Sequence, residues 1–337
     1  MALLQKIHFI HRPDDTNVGD MKCCSLEYFY DFFNNYNIIK HDIASIKWSE
    51  ISRYDIIILG GGGILYNSDL LQENINRLLQ INPNVIGWGI GFNTHKEQRI
   101  NIEIDFSKFK LIGIRDFNHP CKLEYLPCVS CLDPAFKLQK QIKRRVGVIE
   151  HLWFKINEDF GCEKISNWSN FDDLIDFISE TEVIVTSSYH IVFWSILMKK
   201  KVICINPFSN KFDFFKYKPA FYSGNLESDI QKAAIYDGAL QDGINFNEQF
   251  FQRVKAIVEA NVANGKNQYQ KLFYIDQQAI QNRRIEFLNN KIDELMREHN
   301  RTIYPKWLIK FLSRFIFNKK SREIFRAKWT KKDIYWQ

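Results

Sequence analysis

Tyr54-Asp-Ile-Ile-Ile-Leu-Gly-Gly-Gly-Gly-Ile-Leu-Tyr66 decides the fold. Residues Tyr54–Leu59 form a run too short for a buried helix and rich in β-branched side chains, so it reads as a buried strand. Four glycines, residues 60–63, end it. Glycine gives up side-chain packing and costs conformational entropy. Close approach of a substrate or phosphate explains four of them at a strand's carboxyl end, and so does a tight strand-to-helix turn. A helix follows over about Asp69–Gln80, and the next apolar runs, Val85–Ile90 and Leu111–Arg115, are strands again. Upstream, Ile7–Ile10 reads as the first strand and Met21–Asn34 as a helix. Continuous apolar strands separated by helices indicate a parallel sheet covered on both faces.

The pattern restarts after the basic stretch Lys137–Arg145. Val146–Ile149, Glu182–Thr186 and Lys201–Ile205 read as strands, and Phe171–Glu180 and His190–Met198 as helices. The fold class is therefore α/β with two Rossmann-like lobes. Residues 1–140 form the first, and residues 141–300, with trailing helices from about Asn247 to Asn300, form the second. A basic amphipathic tail, residues 301–337, completes the chain. In such folds ligands bind outside the carboxyl ends of the strands.

The 337-residue length fits two domains at about 100–200 residues each. A hydrophobic fraction of 45% and a charged fraction of 25% are those of a globular protein. No run reaches the roughly 18–20 apolar residues of a membrane span. Met1–Ile10 lacks the marks of a signal peptide, and seven irregularly spaced cysteines point to a reduced, cytoplasmic chain. The net charge of +7 is uneven: residues 301–337 carry 11 Lys or Arg against two acidic residues, leaving −2 for the rest. No nucleic-acid partner is expected from a body so nearly neutral.

Several strand ends carry chemistry-bearing residues. Asn17-Val-Gly-Asp20 is an anion-approaching turn or a turn ending in an Asp cap. Arg115-Asp116 is an anion contact with its orienting carboxylate, or an internal ion pair. Ser187 or Ser188 is a natural N-cap, and His190, in a helix's first turn, is held toward the neutral imidazole by the helix dipole. It serves as an acid–base group or packs against Trp194. Cys128 and Cys131, with His119 and Cys121 nearby, lack a second ligand pair, so no metal is expected. Neither a dinucleotide fingerprint, nor a P-loop, nor a nucleophile elbow occurs.

In order along residues 7–215, these segments resemble the polysaccharide pyruvyl transferase family. The matching pieces are Asn17–Asp20, Ile58–Leu65, Gly87-Trp-Gly-Ile-Gly91 and Ile114-Arg-Asp116, then Pro127-Cys-Val-Ser-Cys-Leu-Asp-Pro134 and Ser187-Ser-Tyr-His190 with Lys201–Ile205. The resemblance implies a GT-B-like arrangement of the two lobes and transfer of a pyruvyl group from phosphoenolpyruvate to a sugar, with no cofactor. It makes His190 the catalytic residue. The expected substrate-binding residues are Asn17, Gly19, Asp20, Gly61, Gly62, Gly63, Arg115, Ser187, Ser188 and Tyr189. Trp88 or Trp194 is a candidate wall for the sugar. Many members carry Arg-Leu-His where this chain has Ser188-Tyr189-His190. The arginine that would hold the donor's carboxylate or phosphate is thus replaced, with Arg115, Lys201 and Lys211 as substitutes. A glycosyltransferase using a nucleotide sugar is the alternative, and a non-enzymatic glycan-binding protein the third reading.

The expected acceptor is a glycan, lipid-linked by the following argument. After Pro305, residues Trp307, Leu308, Phe311, Leu312, Phe315 and Ile316 share about half of a helix circumference, with Lys306, Lys310 and Arg314 opposite. That is the pattern of a helix lying in a membrane interface, and a helix docked on the body with a solvated basic face is its alternative. The interface reading places the protein peripherally on the inner face of the membrane, attracted to anionic lipid.

Overall fold

The computed structural model describes residues 6–13, 17–66, 68–94, 103–263 and 286. The expected tail at 301–337, and the helical expectation beyond residue 263 apart from residue 286, lie outside them. Both sheets belong to one compact unit. Its strands are β1 (Lys6–His11), β2 (Asn37–Asp42), β3 (Ile56–Gly60), β4 (Val85–Ile90), β5 (Leu111–Ile114), β6 (Glu124–Tyr125), β7 (Arg144–Glu150), β8 (Lys164–Ser166), β9 (Thr181–Thr186), β10 (Lys201–Cys204) and β11 (Ala220–Phe221). Helices are α1 (Val18–Met21), α2 (Tyr30–Phe33), α3 (Asp69–Ile81), α4 (Phe171–Ser179), α5 (Tyr189–Leu197), α6 (Leu226–Lys232) and α7 (Ala239–Ala263). One sheet runs β2-β1-β3-β4-β5-β6 and the other β11-β10-β9-β7-β8. All the strand pairs in both are parallel.

The strand β3 shows why its sequence is apolar throughout. Ile57 and Leu59 pack with Leu71, Ile75 and Leu78 of α3, while Ile56 and Ile58 pack with Phe250, Val254 and Val258 of α7. Successive side chains point to opposite faces, and both faces are covered. Burying each of these side chains stabilises the fold by about 1.5–3 kcal/mol. In β9, Ile184 faces Leu174, Ile178 and Trp194, and Val183 and Val185 face Ile230. All nine residues of α5 are buried.

The α7 helix packs on the first sheet although it follows the second in sequence, so the residues grouped as 141–300 do not all serve the second sheet. The single helix expected over Met21–Asn34 is instead α1, a 3-10 turn at Ser25–Glu27, and α2. The chain leaves α1 at Lys22, and Cys23 is pressed under the glycine turn, where a Cβ on Gly61 would lie 2.3 Å from the Cys23 carbonyl oxygen. Periodicity alone does not register that tertiary contact. The expected helices over Asp69–Gln80, Phe171–Glu180 and His190–Met198 form within a residue or so of those bounds. Among the described residues, no helix is long and apolar enough to cross a membrane.

Candidate functional site

In the first sheet the chain adds β2 on one side of β1 and β3 on the other; in the second it adds β8 and β9 on opposite sides of β7. Parallel sheets bind ligands outside their carboxyl ends at such reversals. Both reversals border one cavity of about 340 Å³. The first sheet contributes Arg12, Asn17 and Asp20 after β1, the glycine turn after β3, Asn93 after β4 and Arg115 after β5. The second contributes His151, Trp153 and Phe154 after β7, Ser188, Tyr189 and His190 after β9, and Phe208 and Lys211 after β10.

At the end of β1, Asn17 closes the turn. Its Oδ1 accepts from the Gly19 amide at 3.2 Å, and its Nδ2 donates to Asp20 Oδ2 at 2.8 Å. Asn17, not Asp20, is the cap, and Asp20 lines the cavity. Gly19 itself does not line it. Its missing side chain makes room for a protein group, since a Cβ there would stand 2.1 Å from His190 Nδ1. At the end of β3, Gly61 and Gly62 take φ values of 36° and 77°, a left-handed turn that a side chain would strain. The Gly61 amide donates to Trp88 O at 2.9 Å.

Arg115 is the main cation of the first sheet's wall. It is 3% exposed, and its Nε and Nη1 have no hydrogen-bond partner. Its Nη2 reaches the glycine turn, 3.1 Å from where a Cβ on Gly63 would lie, and its Cζ sits 4.1 Å from the centre of the Tyr189 ring. Asp116 turns away to accept from the Phe92 amide at 2.9 Å. Burial raises its carboxyl to about 6, against the pull of Arg115. Lys211 stands on the opposite wall, 4.6 Å from the Phe208 ring centre. Burial, and then the Arg115 charge, push its ammonium down to about 7. Lys201, also considered as a substitute for the family arginine, begins β10 and so lies at the opposite end of the strand from the cavity.

Ser187 is a positioning residue rather than a lining one. Its hydroxyl donates to Phe154 O at 2.7 Å and accepts from the His151 amide at 3.0 Å, which fixes the loop after β7. Ser188 is the N-cap of α5, but its side chain makes no capping bond. Trp88 and Trp194 are fully buried, so neither walls the cavity. The aromatic wall is instead Trp153, Phe154 and Phe208, the last two stacked with centroids 3.7 Å apart. These residues, and Arg12 and Asn93, escaped the sequence reading. Their common mark, a place just after a strand, needs the strand bounds and the sheet order to be seen.

His190 borders the cavity at 6% exposure. Its Nε2 lies 3.3 Å from Cys23 Sγ and 3.9 Å from Cys128 Sγ, and the two sulfurs are 3.4 Å apart. The Cys128 thiol is drawn well below its ordinary value, first by the hydrogen bond with Cys23 and, against burial, by His190 and Ser130. The same bond, and then burial, push Cys23 up. The cysteines near Cys128 in sequence have other partners: Asn247 Nδ2 donates to Cys131 Sγ, and Cys121 Sγ lies 3.0 Å from His119 Nδ1.

The model of one protein family, polysaccharide pyruvyl transferase, matches residues 7–210. The chain belongs to that family. The matched stretch runs from β1 to the edge of Lys211, so it holds nearly every residue on the cavity wall. No curated protein matches the chain. Among solved structures, a functionally uncharacterised protein from Klebsiella pneumoniae is 18% identical, with a TM-score of 0.43 over 65% of this chain and 93% of its own. A structure of the wall teichoic acid polymerase TagF is 12% identical, with a TM-score of 0.40 over 78% of this chain and 90% of that one. A second TagF structure is 10% identical over the same shares, with a TM-score of 0.41.

Proposed function

We propose that this family member transfers a pyruvyl group from phosphoenolpyruvate to two hydroxyls of a sugar in a cell-surface glycan, forming a ketal and releasing phosphate. The observation that carries the reading is the Arg115 guanidinium, buried against the glycine turn with Nε and Nη1 unpartnered. Burying a guanidinium with donors unpaired is costly, and a carboxylate or phosphate in the cavity offsets that cost with charge-assisted bonds. Arg115 thereby takes the place of the arginine that Ser188 replaces. The Gly62 and Gly63 amides and Arg12 complete the anion cradle, and Trp153 with the Phe154–Phe208 stack forms the wall for the sugar.

The reaction begins with protonation of the donor's methylene carbon, which leaves an oxocarbenium-like centre at C2. One sugar hydroxyl attacks C2 and loses its proton; a second displaces phosphate with loss of its own. Lys211, with its ammonium near 7, is the group we assign to the first proton. Asp20, oriented by Asn17, is the base for the attacking hydroxyl. The family resemblance assigns proton transfer to His190. Its Nε2 is turned to two thiols and its Nδ1 edge abuts Gly19, so Lys211 is the better-placed group. The two-lobed arrangement expected from the sequence is part of the same reading, with each sheet's reversal point offering one substrate half.

Titration calorimetry with phosphoenolpyruvate tests the anion cradle. Arg115→Ala should weaken binding by about 10–100-fold, and Arg115→Lys should recover only part of it, because a point charge does not replace the guanidinium fork. Equal affinity of wild type and Arg115→Ala would contradict the assignment.

A further inference from the structure

Two cysteine sulfurs and an imidazole nitrogen meet behind the stretch of cavity wall that His190 lines. Cys23 follows α1, Cys128 begins the turn at Val129–Leu132, and His190 lies in the first turn of α5, so no spacing motif links them. Their ligating atoms all lie within 4.8 Å of one another, and all three residues are buried. Around a tetrahedral zinc ion, metal–ligand lengths near 2.3 Å for sulfur and 2.0–2.1 Å for nitrogen set sulfur–sulfur edges of about 3.8 Å and sulfur–nitrogen edges of about 3.6 Å. The observed edges are 3.4 Å between the sulfurs and 3.3 and 3.9 Å from them to Nε2. Three protein atoms already form one face of such a tetrahedron.

We propose that Cys23 Sγ, Cys128 Sγ and His190 Nε2 bind a thiophilic divalent cation, of which zinc best fits two thiolates and an imidazole. The surroundings are built to hold these ligands. Ser130 Oγ donates to Cys128 Sγ at 3.2 Å, and Trp194 Nε1 donates to Ser130 Oγ at 3.0 Å, which fixes the sulfur from behind. The family glycines serve the same cluster. A Cβ on Gly61 would lie 2.2 Å from Cys23 Cβ, and one on Gly19 would collide with the His190 ring. Loading releases thiol protons, including the one that Cys23 donates to Gly19 O at 2.9 Å. Three protein ligands leave a fourth position for water or a substrate oxygen, the pattern of an open site. The proposal does not depend on the donor or acceptor of the transfer reaction.

The test is metal analysis of the full chain purified without chelators, incubated with zinc and desalted. About one zinc per chain is expected, and cobalt in its place should give a thiolate-to-metal charge-transfer band. Cys23→Ser, Cys128→Ser and His190→Ala should each lower metal affinity by about 10-fold or more, while Cys162→Ser keeps it. Should the serine variants fail to fold, X-ray absorption on the wild-type zinc protein decides. Two sulfur neighbours and one nitrogen neighbour uphold the site, and a shell of oxygen alone overturns it. Zinc below about a tenth of an equivalent in the wild type, undiminished binding in all three variants, or a Cys23–Cys128 disulfide in the purified protein also overturns it.

Discussion

Lys211 and Arg115 face one cavity from two sheets, and the Arg115 charge shapes the chemistry of Lys211. The Arg115 charge helps burial to hold Lys211 at about 7, while Asp20 and Asp116 pull it back up. If the ammonium gives the proton that starts the reaction, the active form is the protonated one. Its fraction is high below about 7 and falls tenfold per unit above. The kcat/KM profile should therefore drop as pH rises through that value. Lys211→Met should lose that limb, together with about 10²–10⁴ of turnover. A profile that stays flat well above 7 in the wild type would remove Lys211 from the role. Arg115 and the glycines were legible in the sequence because each follows directly on an apolar run, and Asp20 because it belongs to the Asn17–Asp20 turn. Lys211 was legible only as a candidate, because it lies in the loop after β10 and reaches the cavity through tertiary packing. Cys23 was not legible at all, since its partners are 105 and 167 residues away.

The strands legible in the sequence are the central ones, each built around a run of buried apolar residues. Those missed are at or beside sheet edges. β2 carries Lys40, His41 and Asp42, and β6, β8 and β11 are two or three residues long. The polar residues of β2 have a purpose in the pairing with β1. His41 Nε2 meets His8 Nδ1 at 2.8 Å, and His8 Nε2 meets Asp55 Oδ2 at 3.1 Å, all within the protein interior. Burial, and then the neighbouring His8, lower His41 to about 3 from 6.5. The folded state thus keeps His41 neutral where the unfolded chain takes up a proton. Its contribution is whole above about 6.5 and is lost as pH falls toward 3, with a ceiling of about 1.4 kcal/mol per pH unit. Urea unfolding across that range should show the decline, and His41→Gln should flatten it. An equal acid slope in His41→Gln would assign the decline to other groups.

At the scale of the whole molecule, the alternation of apolar strands with helices made the α/β class and both parallel sheets legible. The return of α7 to the first sheet was not, because a helix's amphipathic stripe does not say which sheet it covers. The basic segment at 301–337 makes a separate prediction from its composition, with 11 Lys or Arg against two acidic residues. Each basic residue near an anionic surface adds about 1 kcal/mol of attraction. Deleting the segment should abolish binding to anionic liposomes and spare turnover of short soluble acceptors, and added salt should weaken liposome binding by the full chain. Equal binding by the two forms would exclude the segment as the membrane contact. The most direct measurement of the group transferred incubates the full chain with a lipid-linked oligosaccharide and either labelled phosphoenolpyruvate or a panel of nucleotide sugars, and follows the released phosphate species. Inorganic phosphate released from phosphoenolpyruvate, with label in the glycan and no nucleotide product, is the predicted result. Release of a nucleoside mono- or diphosphate, with a sugar added to the glycan and phosphoenolpyruvate untouched, would contradict it.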